Sequence, residues 1–146
     1  MKKVFPLFML LLIAGIITMS AGWRVFLNIP SLVIVILLPT IASLVCFSSG
    51  EMIQAVKVAI KPENYEPNAV KKALVIQKAT ARNFDYTGAL GFLIGVTAMF
   101  GNLNNEAYLT KGLALALIII VYAVTIKFVF IIPAINALEK KMAEAG

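Results

Sequence analysis

LALALIIIVYAVTIKFVFIIPAINA, residues 113–137, carries one charge, Lys127, and one proline, Pro133. The run is longer than the ~18–20 residues that cross the ~30 Å hydrocarbon layer of a bilayer as a helix. Inside lipid it has to be helical, because the backbone finds no water there and must satisfy its own hydrogen bonds. Three further apolar runs lie upstream, at about 4–21, 31–48 and 86–103. The pattern predicts an all-α polytopic protein with four transmembrane helices in a single membrane domain, 1–146.

Composition points the same way. Of the 146 residues, 61% are hydrophobic and 14% are charged. A soluble domain carries about 25% charged residues, so this chain has too little polar surface to cover itself. The net charge of +6 does not indicate nucleic acid: the basic residues flank the apolar runs, where topology signals belong, and do not alternate with aromatics on one face. The sequence contains no His, and its single cysteine, Cys46, lies inside an apolar run. Zinc-type metal sites and His-based catalysis are therefore excluded. The chain reads as a non-enzyme with no cofactor.

The connecting segments orient the helices. Lys57, Lys61, Lys71, Lys72, Lys78 and Arg82 crowd into 51–84, and the tails carry Lys2, Lys3, Lys140 and Lys141. The other two connections hold one basic residue each, Arg24 and Lys111. Lys and Arg concentrate on the cytoplasmic side, so both termini and the 51–84 segment are placed inside. Met1-Lys2-Lys3 before an apolar run that ends near Ser20-Ala21-Gly22 has the outline of a secretion signal; the run is read as a retained first crossing. Trp23 suits the outer headgroup layer. Pro30 and Ser31 open the second helix, and Pro39 is expected to kink it. Pro62 and Pro67 bracket a break that divides 51–84 into two helical extensions.

Several residues stand out within the spans. Gly88, Gly91, Gly95 and Ala98 repeat on one face, with GxxxG at Gly91 and Gly95, a pattern that lets helices approach closely. Packing inside one subunit and contact between subunits both fit. Lys127 lies well inside the fourth run, where a charge costs at least ~2.5–3.5 kcal/mol at the helix centre. It either snorkels to the inner headgroups or faces a pore. Thr97 and Thr125 are lone hydroxyls, best satisfied by their own backbone one turn earlier. Asn102, Asn104 and Asn105 mark a polar outer turn, and Asp85 stands at the inner mouth of the third helix.

The order of these features resembles the MotA/TolQ/ExbB family of ion-driven motors. Ile29-Pro-Ser-Leu-Val-Ile-Val resembles the start of the second helix in MotA-type subunits. Gly91-Phe-Leu-Ile-Gly95 followed by Asn102-Leu-Asn-Asn is similar to their third helix and outer turn. Ile120-Val-Tyr-Ala and Phe130-Ile-Ile-Pro133 are similar to their fourth. The resemblance implies a homopentamer in the bacterial inner membrane. Its third and fourth helices would surround a single-span MotB-, ExbD- or TolR-like partner that supplies a membrane Asp. Tyr122 and Pro133 match the family pattern. Phe92 and Ile120 depart from it, since both positions usually carry Thr hydroxyls thought to help pass the ion. Lys127, seven residues past Ile120, shares the Ile120 face. Thr97 and Thr125 lie about 140° off the faces of the missing hydroxyls and replace them poorly. The 51–84 segment is too short for a flagellar rotor-binding domain. Two alternatives to a conducting motor subunit remain: a non-conducting scaffold of the same fold, and an unrelated four-helix membrane assembly factor or small transporter.

Overall fold

The helix boundaries follow from local chemistry. The computed structural model describes residues 5–20, 28–101, 103 and 106–145. Trp23, Arg24, Lys2, Lys3 and the Asn102, Asn104 and Asn105 turn lie outside the described residues. In chain order the elements are α1 (Phe5–Ser20), α2 (Ile29–Cys46), α3 (Ser49–Ile60), a 3-10 turn (Pro62–Asn64) and α4 (Pro67–Phe100), then α5 (Glu106–Ile126), a π-turn (Lys127–Ile131) and α6 (Ile132–Ala145). Among the described residues there is no strand.

Asn28 caps α2, its side chain accepting from the Ser31 N–H at 3.1 Å, with Pro30 in the first turn. This satisfies one of the backbone donors that a helix start leaves without an internal partner. The helix continues through Pro39 to Cys46. Ser48 and Glu51 form a capping box on α3: the Ser48 N–H donates to the Glu51 carboxylate at 2.8 Å, and the Glu51 N–H donates to Ser48 Oγ at 3.3 Å. The two prolines confine the break to a single 3-10 turn. Past it α4 runs for 34 residues without interruption, and α5, the π-turn and α6 follow one another end to end.

Lys72 on α4 reaches Glu51 at 2.7 Å. The lysine hydrogen bond, followed by the Ser48 backbone N–H, holds the Glu51 carboxyl at about 2, against an ordinary value of 4.5. A carboxyl whose pKa is lowered by folding stabilises fully above its unfolded value and loses that contribution as pH falls through its folded value. Acid should therefore loosen the start of α3 between about 4.5 and about 2. Amide exchange at the first turn of α3 measures this, and Glu51→Gln should flatten the dependence.

The interior has two parts. One, at the lysine-rich end, packs α3, α4 and α6 through Ala55, Val58, Val70, Ala73, Ile76 and Leu138. The other joins α2, α4, α5 and the π-turn through Val35, Ala81, Phe84, Ile119, Ala123 and Ile131. The surface of α2 reverses the soluble pattern. Its buried stripe is Ser31, Val35, Pro39 and Ser43, while Ile34, Leu37, Leu38, Ile41 and Val45 face outward. Large apolar groups outside and small ones inside suit a helix whose solvent is lipid.

Among the described residues two helical stretches are long and apolar enough to cross a membrane, Ile29–Cys46 and the 39-residue Glu106–Glu144. As described, α1 has 16 residues, short of the ~20 a crossing needs. The apolar half of α4 is entered through Arg82, Asn83 and Asp85, which lower its hydropathy.

Candidate functional site

The helices α4 and α5 pack antiparallel in a close seam lined by glycines. A methyl group at Gly88 would stand 3.3 Å from Ala123 Cβ. At Gly91 it would run into the Ile119 side chain, and at Gly95 it would stand 2.7 Å from Ala116 Cβ and 2.9 Å from Ala116 Cα. Across the seam, Gly112 faces the Gly95 carbonyl at 3.3 Å from its own would-be Cβ. The glycine face found in the sequence is thus occupied by α5 of the same chain. Ala98 is exposed. Gly112, the complementary small residue, escaped the sequence reading because it stands alone at the start of α5, outside any repeat.

The same register sets Asp85 level with Lys127. The lysine Nζ donates to both carboxylate oxygens, at 2.7 and 2.6 Å. The two residues are 42 positions apart, and nothing in the sequence pairs them. Helix periodicity places Phe92 on the Asp85 line of α4 and Ile120 on the Lys127 line of α5. Both are half-buried, at one height on the same edge of the seam, about 10.5 Å from the ion pair. Thr97 is exposed, its hydroxyl donating to the Leu93 carbonyl at 2.8 Å. Thr125 is half-buried, on another side of α5 from Ile120 and Lys127.

The π-turn begins at Lys127 and ends just before Pro133. Proline has no N–H to give the carbonyl four residues back, and its ring crowds that carbonyl. The Ile132 N–H reaches back to the Lys127 carbonyl instead, the wider hydrogen bond of a π-bulge. The extra residue shifts the helix face by about 100°. Lys127 can thereby point along the seam edge while Leu138 points into the lysine-end core.

Tyr122 is half-buried and accepts a hydrogen bond from the Asn28 N–H at 2.9 Å. It satisfies a second donor at the start of α2 from a different helix. Asn83 donates to Ser43 Oγ at 2.9 Å, and Ser43 in turn donates to the Pro39 carbonyl at 2.7 Å. Two polar ties therefore hold α2 to the α4–α5 pair. Tyr122→Phe should cost about 1 kcal/mol, the typical net worth of a hydrogen bond, because the Asn28 N–H is only part-buried. Thermal unfolding in mild detergent measures it; an unchanged midpoint would show that the Asn28 N–H finds another acceptor.

Residues 48–145 match the sequence model of the MotA/TolQ/ExbB proton channel family. The chain belongs to the MotA/TolQ/ExbB proton channel family. The protein is thus a membrane protein of a channel and proton-transport family and not an enzyme. The match runs from the start of α3 to the end of α6. It contains the glycine seam, the ion pair, Tyr122, the π-turn and Pro133, and it leaves α1 and α2 outside. No curated protein matches the chain significantly.

Proposed function

We propose that this chain is the pore-forming subunit of a compact MotA/TolQ/ExbB-type motor. Five copies stand in a ring in the bacterial inner membrane, and the α4–α5 seam edges face a single-span partner. The observation that carries this reading is the seam itself: the family match falls on a close-packed hairpin with a charged pair at one edge. An ion pair facing lipid is costly, so residues of this kind turn toward a bundle interior or a water path.

In this reading the chain crosses the membrane four times, through α1, α2, the apolar half of α4, and α5. The basic end, with α3, α6 and both tails, is cytoplasmic. From Glu106 to Lys127 the helix rises about 31 Å, close to the ~30 Å of hydrocarbon. The ion pair then marks the inner boundary. Beyond it an apolar groove of about 1340 Å³ opens between α3, α4 and α6, walled by Val56, Ile60, Phe130 and Ala134. Ile53, Val56 and Ile60 are exposed there on a helix outside the apolar spans. A neighbouring subunit covers them.

Subunit counting by native mass spectrometry in nanodiscs tests the assembly, with five copies expected; a monomer or dimer counts heavily against it. Reporter fusions at Gly101 and at the C-terminus test the topology, with opposite sides expected. A neighbouring gene for a single-span protein with a membrane Asp would support the partner.

Phe92 and Ile120 favour a second reading, a scaffold of the same fold that does not conduct. They set apolar groups level with each other where the family resemblance implies hydroxyls. Reconstitution with the partner and measurement of proton or sodium flux separates the two. Flux abolished by substituting the partner's membrane acid would rule the scaffold out.

A further inference from the structure

The Asp85–Lys127 pair has the geometry of an occupied cation site. One ammonium nitrogen sits within 2.7 Å of both oxygens of a single carboxylate. A small monovalent cation bound by that carboxylate would take the same position. The pair is not sealed in a core: the Lys127 side chain is 26% exposed and that of Asp85 53% exposed. Charge is scarce around it. The described parts of α1 and α2 contain no charged residue. On α4 the neighbouring titratable groups are Arg82 and Tyr86, both exposed, and on α5 Tyr122. The next ion pair, Lys78 with Glu139 at 2.7 Å, lies about 10.5 Å further toward the basic end along α4.

The surroundings give the site a direction. Phe92 and Ile120 make the level outward of it apolar, so Asp85 is the first carboxylate beyond that level along the edge. The π-turn holds the Lys127 stem on this edge without disturbing α6. Lysine itself is a compact charge on a flexible four-carbon stem, able to leave the carboxylate while staying tethered.

We propose that Asp85 is a cation site on the ion path and that Lys127 is its tethered occupant. The proposal rests on the reading of the seam edge as a wall of that path. The ammonium fills the carboxylate until a small monovalent cation, hydronium or sodium, displaces it, and it returns when the cation leaves. No covalent bond is needed for the exchange. Asp85 attracts the cation and Lys127 competes with it, so the two residues have opposite effects on cation access.

The test uses the full-length chain in inverted membrane vesicles. Cys46, which is exposed, is replaced by serine, and Lys127→Cys puts a thiol at the base of the space the lysine arm vacates, on the Asp85 side of the seam. Modification is timed with a cationic trimethylammonium methanethiosulfonate and with an anionic sulfonate methanethiosulfonate, and read as a mass shift. After correction for intrinsic reactivity the cationic reagent should react about 10-fold faster, the lower end of what focused charge does to local ion concentration. Asp85→Asn should bring the ratio to about one. Absence of reaction with either reagent means that the position faces lipid or a sealed interior, and it overturns the proposal. A ratio that ignores Asp85→Asn overturns it as well. Asp85→Asn is also made with Lys127 in place. Failure to assemble there, with assembly in the Lys127→Cys background, shows the pair to be a structural tie, against the proposal. Failure in both backgrounds shows that the carboxylate is needed for folding apart from its lysine, again against it. Subunit counting on the unmodified chain reports separately on the pore reading.

Discussion

Gly95→Ala is expected to force α4 and α5 apart, while Gly88→Ala is expected to be tolerated. At Gly95 the added methyl would lie 2.7 Å from Ala116 Cβ, 2.9 Å from its Cα and 3.1 Å from its backbone nitrogen. None of these atoms can turn away by changing rotamer. Relief needs a movement of one helix, and overpacking of this kind typically costs about 1–3 kcal/mol. At Gly88 the nearest atom is Ala123 Cβ at 3.3 Å, which requires only a few tenths of an ångström. There the higher helix propensity of alanine, up to about 1 kcal/mol over glycine, offsets the crowding. Gly91→Ala falls between, because its obstacle is the Ile119 side chain, a β-branched group with few rotamers. Unfolding midpoints in mild detergent should rank the three with Gly95→Ala lowest. Gly95→Leu should also lower the yield of oligomer. Equal midpoints for Gly95→Ala and Gly88→Ala would show that the seam is looser than a 2.7 Å approach to Ala116 Cβ requires.

Leu138→Ala should cost about 2–5 kcal/mol, the range for deleting most of a buried leucine. Leu138 has no exposed surface and closes the lysine-end core against Val58, Val70 and Ile76. In the proposed topology this core lies on the cytoplasmic side, where the transfer of apolar surface from water acts on it in full. The loss should be local. Amide exchange should rise in α3 and in the first half of α4, while the glycine seam stays protected. If protection in α3 is unchanged, its docking does not depend on α6. The same variant reports on the π-turn, because that turn sets the face Leu138 presents.

Much of the helix layout was legible in the sequence because it is governed by short-range rules. Pro62 and Pro67 each stand in a first helical turn, where the missing N–H costs nothing, so the break between them is local chemistry. The Ser48–Glu51 capping box obeys the same short-range chemistry, though the sequence reading did not single it out. The glycine spacing named a close-packed face but not its occupant. The occupant is Ala116, Ile119 and Ala123, on a helix that follows the polar outer turn. Asp85 was placed at the mouth of its helix, and Lys127 was read as either snorkelling or facing a pore. Their pairing depends on the register of two long helices, a sum of many packing contacts. Tyr122 was noticed only as a family match. Its bond to Asn28 joins residues 94 positions apart, and no periodicity predicts it.

Lipid as solvent, helix as the only usable backbone form, and the sidedness of charge follow from composition and spacing, because each residue answers to its solvent independently of its partners. The partners across α4 and α5, the seat of Lys127 on Asp85 and the one-residue reset before Pro133 follow from tertiary packing. In each of these the energy belongs to a pair of distant groups, and it is defined only once the helices have settled into one register.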